Sequence, residues 1–171
     1  MTVLEIKLIP DPVLRKKAEP VKVVTNDIIS VLNDMAETMY DAPGIGLAAN
    51  QVGILKRLIV MDCSTDDEDP NLIKMINPEI IFSSTEISEL EEGCLSIPEH
   101  KSIVKRPSNI KVKFLNIEGL EEIIDEEGLL SASIQHEIDH LNGVLFVDHI
   151  SRLKRDIILR KVKKQIRENE K

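Results

Sequence analysis

The chain is 171 residues long and 42% apolar, enough to bury one sizeable core and short for two, so a single domain over residues 1–171 is predicted. Its aromatic residues are Tyr40, Phe82, Phe114 and Phe146, with no Trp; the core must be built from Ile, Leu, Val and Met, which argues against sequence-specific nucleic-acid reading by base stacking. The formal charge of -8 is uneven, because residues 151–171 carry nine Lys or Arg against three Asp or Glu, a basic C-terminal segment on an acidic body.

The start, MTVLEIKLIPDPVLRKK, has no long apolar stretch. Neither a secretory signal nor a membrane span is expected, and the cytoplasm is the expected compartment. Cys63 and Cys94 are then expected as a free thiol or metal thiolate rather than a disulfide. Asn26 or Asp27 is expected to cap a helix carrying Ile28, Val31, Leu32, Met35 and Met39 at helical spacing, ended by DAPG at 41–44. Strand patterns follow at 54–62, 72–82, 102–105 and 109–116, with STDDEDPN (64–71) as an exposed loop. Helical periodicity returns from about Glu126 to Asn142 and again from about Arg152. A helix, a run of strands and then helices predicts an α+β domain with antiparallel or mixed sheets around the central helix.

That helix contains QHEIDH. Residues four apart on an α-helix differ by about 40° of rotation and roughly 6 Å of rise, so His136 and His140 can meet one cation with Glu137 beside them. Ile134, Ile138 and Leu141 fall on the opposite face, and Asn142-Gly143 supplies a stop. A catalytic metal site needs a third protein ligand and an open position. The extended HExxHxxGxxH pattern would put that ligand at 146, which is Phe146, and the thermolysin pattern needs a downstream Glu, for which only Glu168 and Glu170 in the charged tail remain. His149 is possible by chemistry but lies past the helix stop. Cys94, in EEGCLSIP, is the strongest candidate because a thiolate suits zinc or iron.

Three stretches together resemble the peptide deformylases: GIGLAANQVG (44–53), EGCLS (92–96) and QHEIDHLNG (135–143), in that order. Similarity extends to IPDPVLRKKAEPV near the start and VLFVDHISRLKR after the helix. The resemblance implies a metallohydrolase that removes the formyl group from the N-terminal formylmethionine of nascent peptides and releases formate. It implies Cys94, His136 and His140 as ligands of Fe(II), with Zn, Ni or Co able to occupy the same site. Glu137 is implied as the proton shuttle, and the Gln51 amide and Leu95 N–H as donors to the formyl oxygen. Gly44, Ile45, Gly46, Leu90, Gly93, Leu129, Ala132 and Ser133 correspond to substrate-facing positions. Two departures stand out: Lys101 where Arg is common, and the small Ala132 and Ser133 where bulkier apolar residues are common. The tail, with Leu153, Ile157 and Ile158 as packing surface, is implied to dock on the ribosome. The competing readings are an HExxH zinc peptidase and a catalytically silent ribosome-docking module.

Overall fold

A computed structural model describes residues 2–170; Met1 and Lys171, the ends of the expected domain, lie outside the described residues. Helix α1 (Asn26–Asp41) begins one residue earlier than its expected caps suggest, because the Thr25 hydroxyl accepts from the Ile28 N–H at 3.3 Å and Thr25 is itself the cap. Five strands follow in a sheet ordered β1-β2-β3-β6-β7: β1 (Gly46–Ala48), β2 (Leu58–Met61), β3 (Ile73–Ser83), β6 (Asn109–Leu115) and β7 (Glu121–Glu127). Strands β4 (Ile87–Cys94) and β5 (Ile97–Pro107) form a separate two-stranded hairpin. Every ladder is antiparallel; the one parallel pairing among the described residues is an isolated bridge between Glu19 and Lys56. Helix α2 (Gly128–Leu141) and helix α3 (Arg152–Asn169) complete the single α+β domain.

Strand β2 explains the layering. Its four residues LIVM are all buried, and successive side chains point to opposite faces of the sheet. Leu58 and Val60 pack with Leu32, Met35 and Met39 of α1, whereas Ile59 and Met61 pack with Ile134, Ile138 and Leu141 of α2. A strand covered on both faces reads as a continuous apolar run rather than an alternating one. Burial of each such side chain contributes about 1.5–3 kcal/mol, so this strand is the seam that clamps α2. The third core lies between the hairpin and α3, where Ile97 and Val104 meet Phe146, Ile158 and Val162. Of the expected packing residues on α3, Ile158 is buried, while Leu153 and Ile157 are exposed; Val162, one helical turn beyond Ile158, takes their place.

Several expectations change. Strand β5 runs from 97 to 107 rather than 102 to 105, and β2 is shorter than the expected 54–62. Strands β4 and β7 have no counterpart in the sequence expectations, being rich in Glu and Asp, which are poor intrinsic strand formers. Their partners form the ladders instead: Glu126 and Glu127, expected at the start of the helix, pair with Ile110 and Asn109 of β6. The chain leaves β7 only at Gly128, whose φ of 66° turns it into α2.

At the other end of α2, Gly143 has φ of 75°, and a Cβ there would lie 2.5 Å from the Arg15 carbonyl oxygen. The corresponding Cβ at Gly128 would meet nothing within 4 Å. Both Ala substitutions incur a left-handed cost of about 1–2 kcal/mol, but only Gly143→Ala adds a backbone collision. Urea denaturation should show Gly143→Ala to be clearly the more destabilising of the two; equal losses would mean that the Arg15 contact yields freely.

Candidate active site

Cys94 ends β4 where the chain turns into β5, and α2 presents His136, Glu137 and His140 beneath it. Cys94 Sγ lies 3.3 Å from His140 Nε2, which lies 3.2 Å from His136 Nε2. One donor atom from each residue falls within 4.8 Å of the others. Donors bound to one tetrahedral ion at about 2.0–2.3 Å stand roughly 3.3–3.6 Å apart, so these three residues fit a borderline-soft divalent ion with little movement. His149, the other candidate ligand, is turned elsewhere, with Nε2 at 2.8 Å from Asp139 Oδ2.

The ring of His136 is oriented by a buried charge relay absent from the sequence expectations. Its Nδ1 lies 2.9 Å from Glu92 Oε1, so an Nδ1–H is held by the carboxylate and Nε2 is turned toward His140. Glu92 accepts two hydrogen bonds from Arg106, Nε at 2.6 Å and Nη2 at 2.9 Å, and Arg106 Nη1 donates to Asp139 at 2.9 Å. Glu92 sits in the EGCLS stretch; Arg106, directly after Lys105 in KSIVKR, carries no local signal.

Burial favours the neutral form of Glu92, yet hydrogen bonds from His136 and Arg106 hold it down at about 2. Burial likewise opposes charge on His136, but hydrogen bonds to Cys94 and Glu92, and then the charge of Glu137, push it up to about 10. The surrounding protein atoms therefore favour positive charge, which suits a divalent ion in place of that proton. His140 goes the other way, pushed well down by burial and then by the charges of His136 and Arg106, and offers a neutral imidazole. Burial raises Glu137 to about 7, with attraction from His136 partly offset by repulsion from Glu92.

Gln51, on the 3-10 turn Ala49–Val52, has its amide orientation set by its neighbours. Its Oε1 accepts from the Ala48 N–H at 3.0 Å, which leaves Nε2 facing Ser96 Oγ at 3.1 Å and Cys94 Sγ at 3.6 Å. A cleft of about 700 Å³ opens over the site and is lined by all the expected residues except His140, which lies behind it. Gly44, Ile45 and Gly46 form one wall; Leu90, Gly93, Leu95 and Lys101 lie along the hairpin; Leu129, Ala132 and Ser133 come from α2. The walls are close: a Cβ on Gly46 would lie 2.9 Å from Glu137 Oε1, and one on Gly44 would lie 2.7 Å from Leu95 Cδ1. The Ser133 hydroxyl contacts the free thiol of Cys63 at 3.6 Å. Both faces of α2 are thus covered, the histidine side as well as the apolar side of Ile134, Ile138 and Leu141.

The family model for polypeptide deformylase matches residues 3–156. A peptide deformylase of Rhizobium meliloti is 51% identical over 164 residues, covering 96% of this chain and 94% of the relative. The crystal structure of peptide deformylase from Ehrlichia chaffeensis superposes with a TM-score of 0.94 at 40% identity, covering 99% of this chain and 100% of that one. A second structure of the Ehrlichia chaffeensis enzyme, in complex with actinonin, gives a TM-score of 0.91 at 42% identity over 96% of this chain and 98% of that one.

Removing the negative charge behind His136 should loosen the ion without removing a donor atom. Glu92→Gln is expected to weaken metal retention by about 10–100-fold in chelator competition. Retention equal to that of the unaltered protein would mean that the relay through Arg106 does not act on the ligands.

Proposed function

The chain belongs to the peptide deformylase family, and we propose on that premise that residues 1–171 act as one catalytic domain that hydrolyses the N-formyl group from formylmethionyl nascent peptides and releases formate. The observation that carries this reading is the approach of Cys94 Sγ and the two imidazole Nε2 atoms to 3.3 and 3.2 Å beside a buried carboxyl group. We assign Cys94, His136 and His140 as ligands of Fe(II), with Zn, Ni or Co as substitutes, and the cytoplasm as the compartment. When bound, such an ion supplies a Lewis acid that activates water and polarises a carbonyl. The thiolate supports this assignment over a hard cation, and no helix among the described residues is long and apolar enough to cross a membrane.

Glu137 takes the proton of the attacking water and delivers it to the departing amine. A carboxyl group raised to about 7 by burial is poised for both transfers. Its Oε2 has no hydrogen-bond partner within the described protein, so it is available for that proton. Gln51 Nε2 and the Leu95 backbone N–H donate to the formyl oxygen as charge develops there, and loss of one such donor typically costs a factor of about 100–1,000 in rate. The close approach of Gly46 to Glu137 leaves room for hydrogen on the acyl carbon and crowds larger groups. Leu90, Leu129, Ala132 and Ser133 receive the methionine side chain, while Ile45, Gly46 and Gly93 hold the peptide backbone in a sequence-tolerant manner. Lys101 lies over Gly93, where it can reach a peptide carbonyl as a point charge rather than as a planar fork. The zinc-peptidase reading lacks its usual third ligand, since Phe146 is buried in the core and His149 pairs with Asp139.

Formate release from a formylmethionyl peptide by anaerobically iron-loaded protein, set against the Glu137→Ala variant with metal content measured in both, tests the reading. The variant is expected to lose at least about a hundredfold in kcat with its metal retained. Because the base must be ionised, kcat/KM should fall as pH drops through the Glu137 pKa. Nearby positive charge lowers that value, so the acid limb should lie at or below about 7. Absence of formate from the loaded parent protein would reject the assignment.

The tail supports a second, separate proposal. All eight Lys and Arg residues of α3 are exposed while Ile158 and Val162 anchor its underside, an arrangement suited to phosphate contacts on ribosomal RNA. Replacing Lys161, Lys163 and Lys164 by Gln should reduce salt-sensitive co-sedimentation with ribosomes and leave formate release intact; undiminished co-sedimentation would count against docking through α3.

A further inference from the structure

The wall opposite the hairpin is a short irregular segment, Ala42 to Ile45, between α1 and β1. Ala42, Pro43, Gly44 and Ile45 all line the cleft, and the Ile45 side chain remains 45% exposed, so packing does little to hold it. The Ala42 and Gly44 N–H groups bond back to the end of α1, at Thr38 and Met39, and the remaining support converges on one residue outside the cleft. Asp62, directly after β2 and only 6% exposed, donates its backbone N–H to the Ile45 carbonyl at 2.9 Å. Its carboxylate is fully engaged: Oδ2 accepts from the Tyr40 hydroxyl at 2.6 Å and the Asn71 N–H at 3.2 Å, and Oδ1 accepts from the Ser64 N–H at 2.9 Å as well as the Ser64 hydroxyl.

These partners bracket the wall. Tyr40 lies in the last turn of α1, immediately before the segment, and Ile45 lies at its other end, so Asp62 ties both ends to the same point of the sheet. The same carboxylate closes the acidic loop at 64–71 by holding Ser64 and Asn71. The neighbouring Cys63 reaches Ser133 on the α2 side of the cleft at 3.6 Å. Four acceptor contacts on a buried carboxylate are costly to leave unmade, which makes the junction stiff. The pKa directions agree with that geometry: hydrogen bonds from Ser64, Tyr40 and Asn71 overcome burial to hold Asp62 at about 2, while burial and then Asp62 push Tyr40 to about 12.

We propose that Asp62 is a positioning residue for substrate recognition, its carboxylate clamping Tyr40, Ser64 and Asn71 so that the Ala42–Ile45 wall stands at a fixed distance from the hairpin and α2. It touches neither the reacting atoms nor the metal-binding group. Its effect is therefore on how firmly the peptide is held rather than on the chemical step. The inference rests on the deformylase reading for its substrate and on the hydrogen-bond geometry for its mechanism.

The test is Asp62→Asn in the metal-loaded full chain, with Tyr40→Phe as a milder variant that removes a single hydrogen bond and keeps the ring. Asn replaces an acceptor oxygen by a donor group, so contacts to Tyr40, Ser64 or Asn71 are lost while side-chain volume is kept. Amide hydrogen exchange at residues 42–46 should quicken on the order of tenfold, and KM for a formylmethionyl peptide should rise on the order of tenfold, with kcat and metal content within about twofold of the parent. Tyr40→Phe should shift both readouts in the same direction by less. A role confined to stability would lower Tm and leave KM of the folded enzyme and exchange at 42–46 unchanged, which would overturn the proposal. Loss of kcat with unchanged KM would overturn it too. If the parent protein released no formate at all, the functional reading would fall, and exchange at 42–46 would still decide whether Asp62 holds the wall.

Discussion

The structure depends on the burial of the polar face of α2. Placing two imidazoles and the Glu137 carboxyl group out of water is unfavourable unless each finds a partner or a reason to stay neutral. Cys94, Glu92 and Arg106 provide those partners from the hairpin, which is why the hairpin lies against α2 rather than extending the main sheet. Arg106 engages Glu92 and Asp139 together, 14 residues away and 33 residues away in the chain. The same contacts that neutralise the buried charge also bring the thiol to the histidines. Packing and chemistry are set here by one arrangement of side chains.

Within that arrangement Glu137 occupies a different position from Glu92. Both carboxyl groups belong to the same site and are largely shut away from water, yet one is held near 2 by hydrogen bonds from His136 and Arg106 and the other is raised to about 7 by burial. The separation follows from geometry: Glu92 receives the forked Arg106 guanidinium, whereas Glu137 Oε1 lies 4.0 Å from His136 Nε2 and receives no such fork. In the proposed reaction this divides the work, with a permanently ionised group orienting a ligand and a group near neutrality moving a proton. Selectivity in that reaction comes from Gly46 on the opposite wall, where the absence of a side chain leaves Glu137 within reach of a very small acyl group.

The cleft is assembled from elements with unequal support. Helix α2 is clamped to β2 by Ile59 and Met61, and the hairpin is secured by Ile97 and Val104 against Phe146. The wall at 42–46 has little core of its own and relies on hydrogen bonds, among them Gly44 N–H to Met39 carbonyl at 2.8 Å and the Asp62 contact to Ile45. A rigid floor with a polar-pinned rim suits a site that must hold its reacting groups closely and admit many peptide sequences.

Local periodicity made much of this legible. The His136–His140 spacing, the apolar stripe of Ile134, Ile138 and Leu141, the stop at Gly143 and the spans of α1, α3 and β6 follow from 3.6- and 2-residue repeats that a chain displays without its partners. Donor chemistry singled out Cys94, and three short motifs indicated the family. Strands β4 and β7 were hidden because their acidic side chains oppose strand propensity and only pairing with β5 and β6 overrides it. Thr25, Asn26 and Asp27 stand side by side with similar capping groups, so local sequence does not single out Thr25 as the cap. Arg106, the ionisation of Glu92, the raised Glu137 and the Asp62 junction arise from groups distant in sequence and shut away from water together. Side-chain type and spacing were therefore written in the sequence, while which charges share a buried space, and so which proton is held and which can move, was decided only by the tertiary fold.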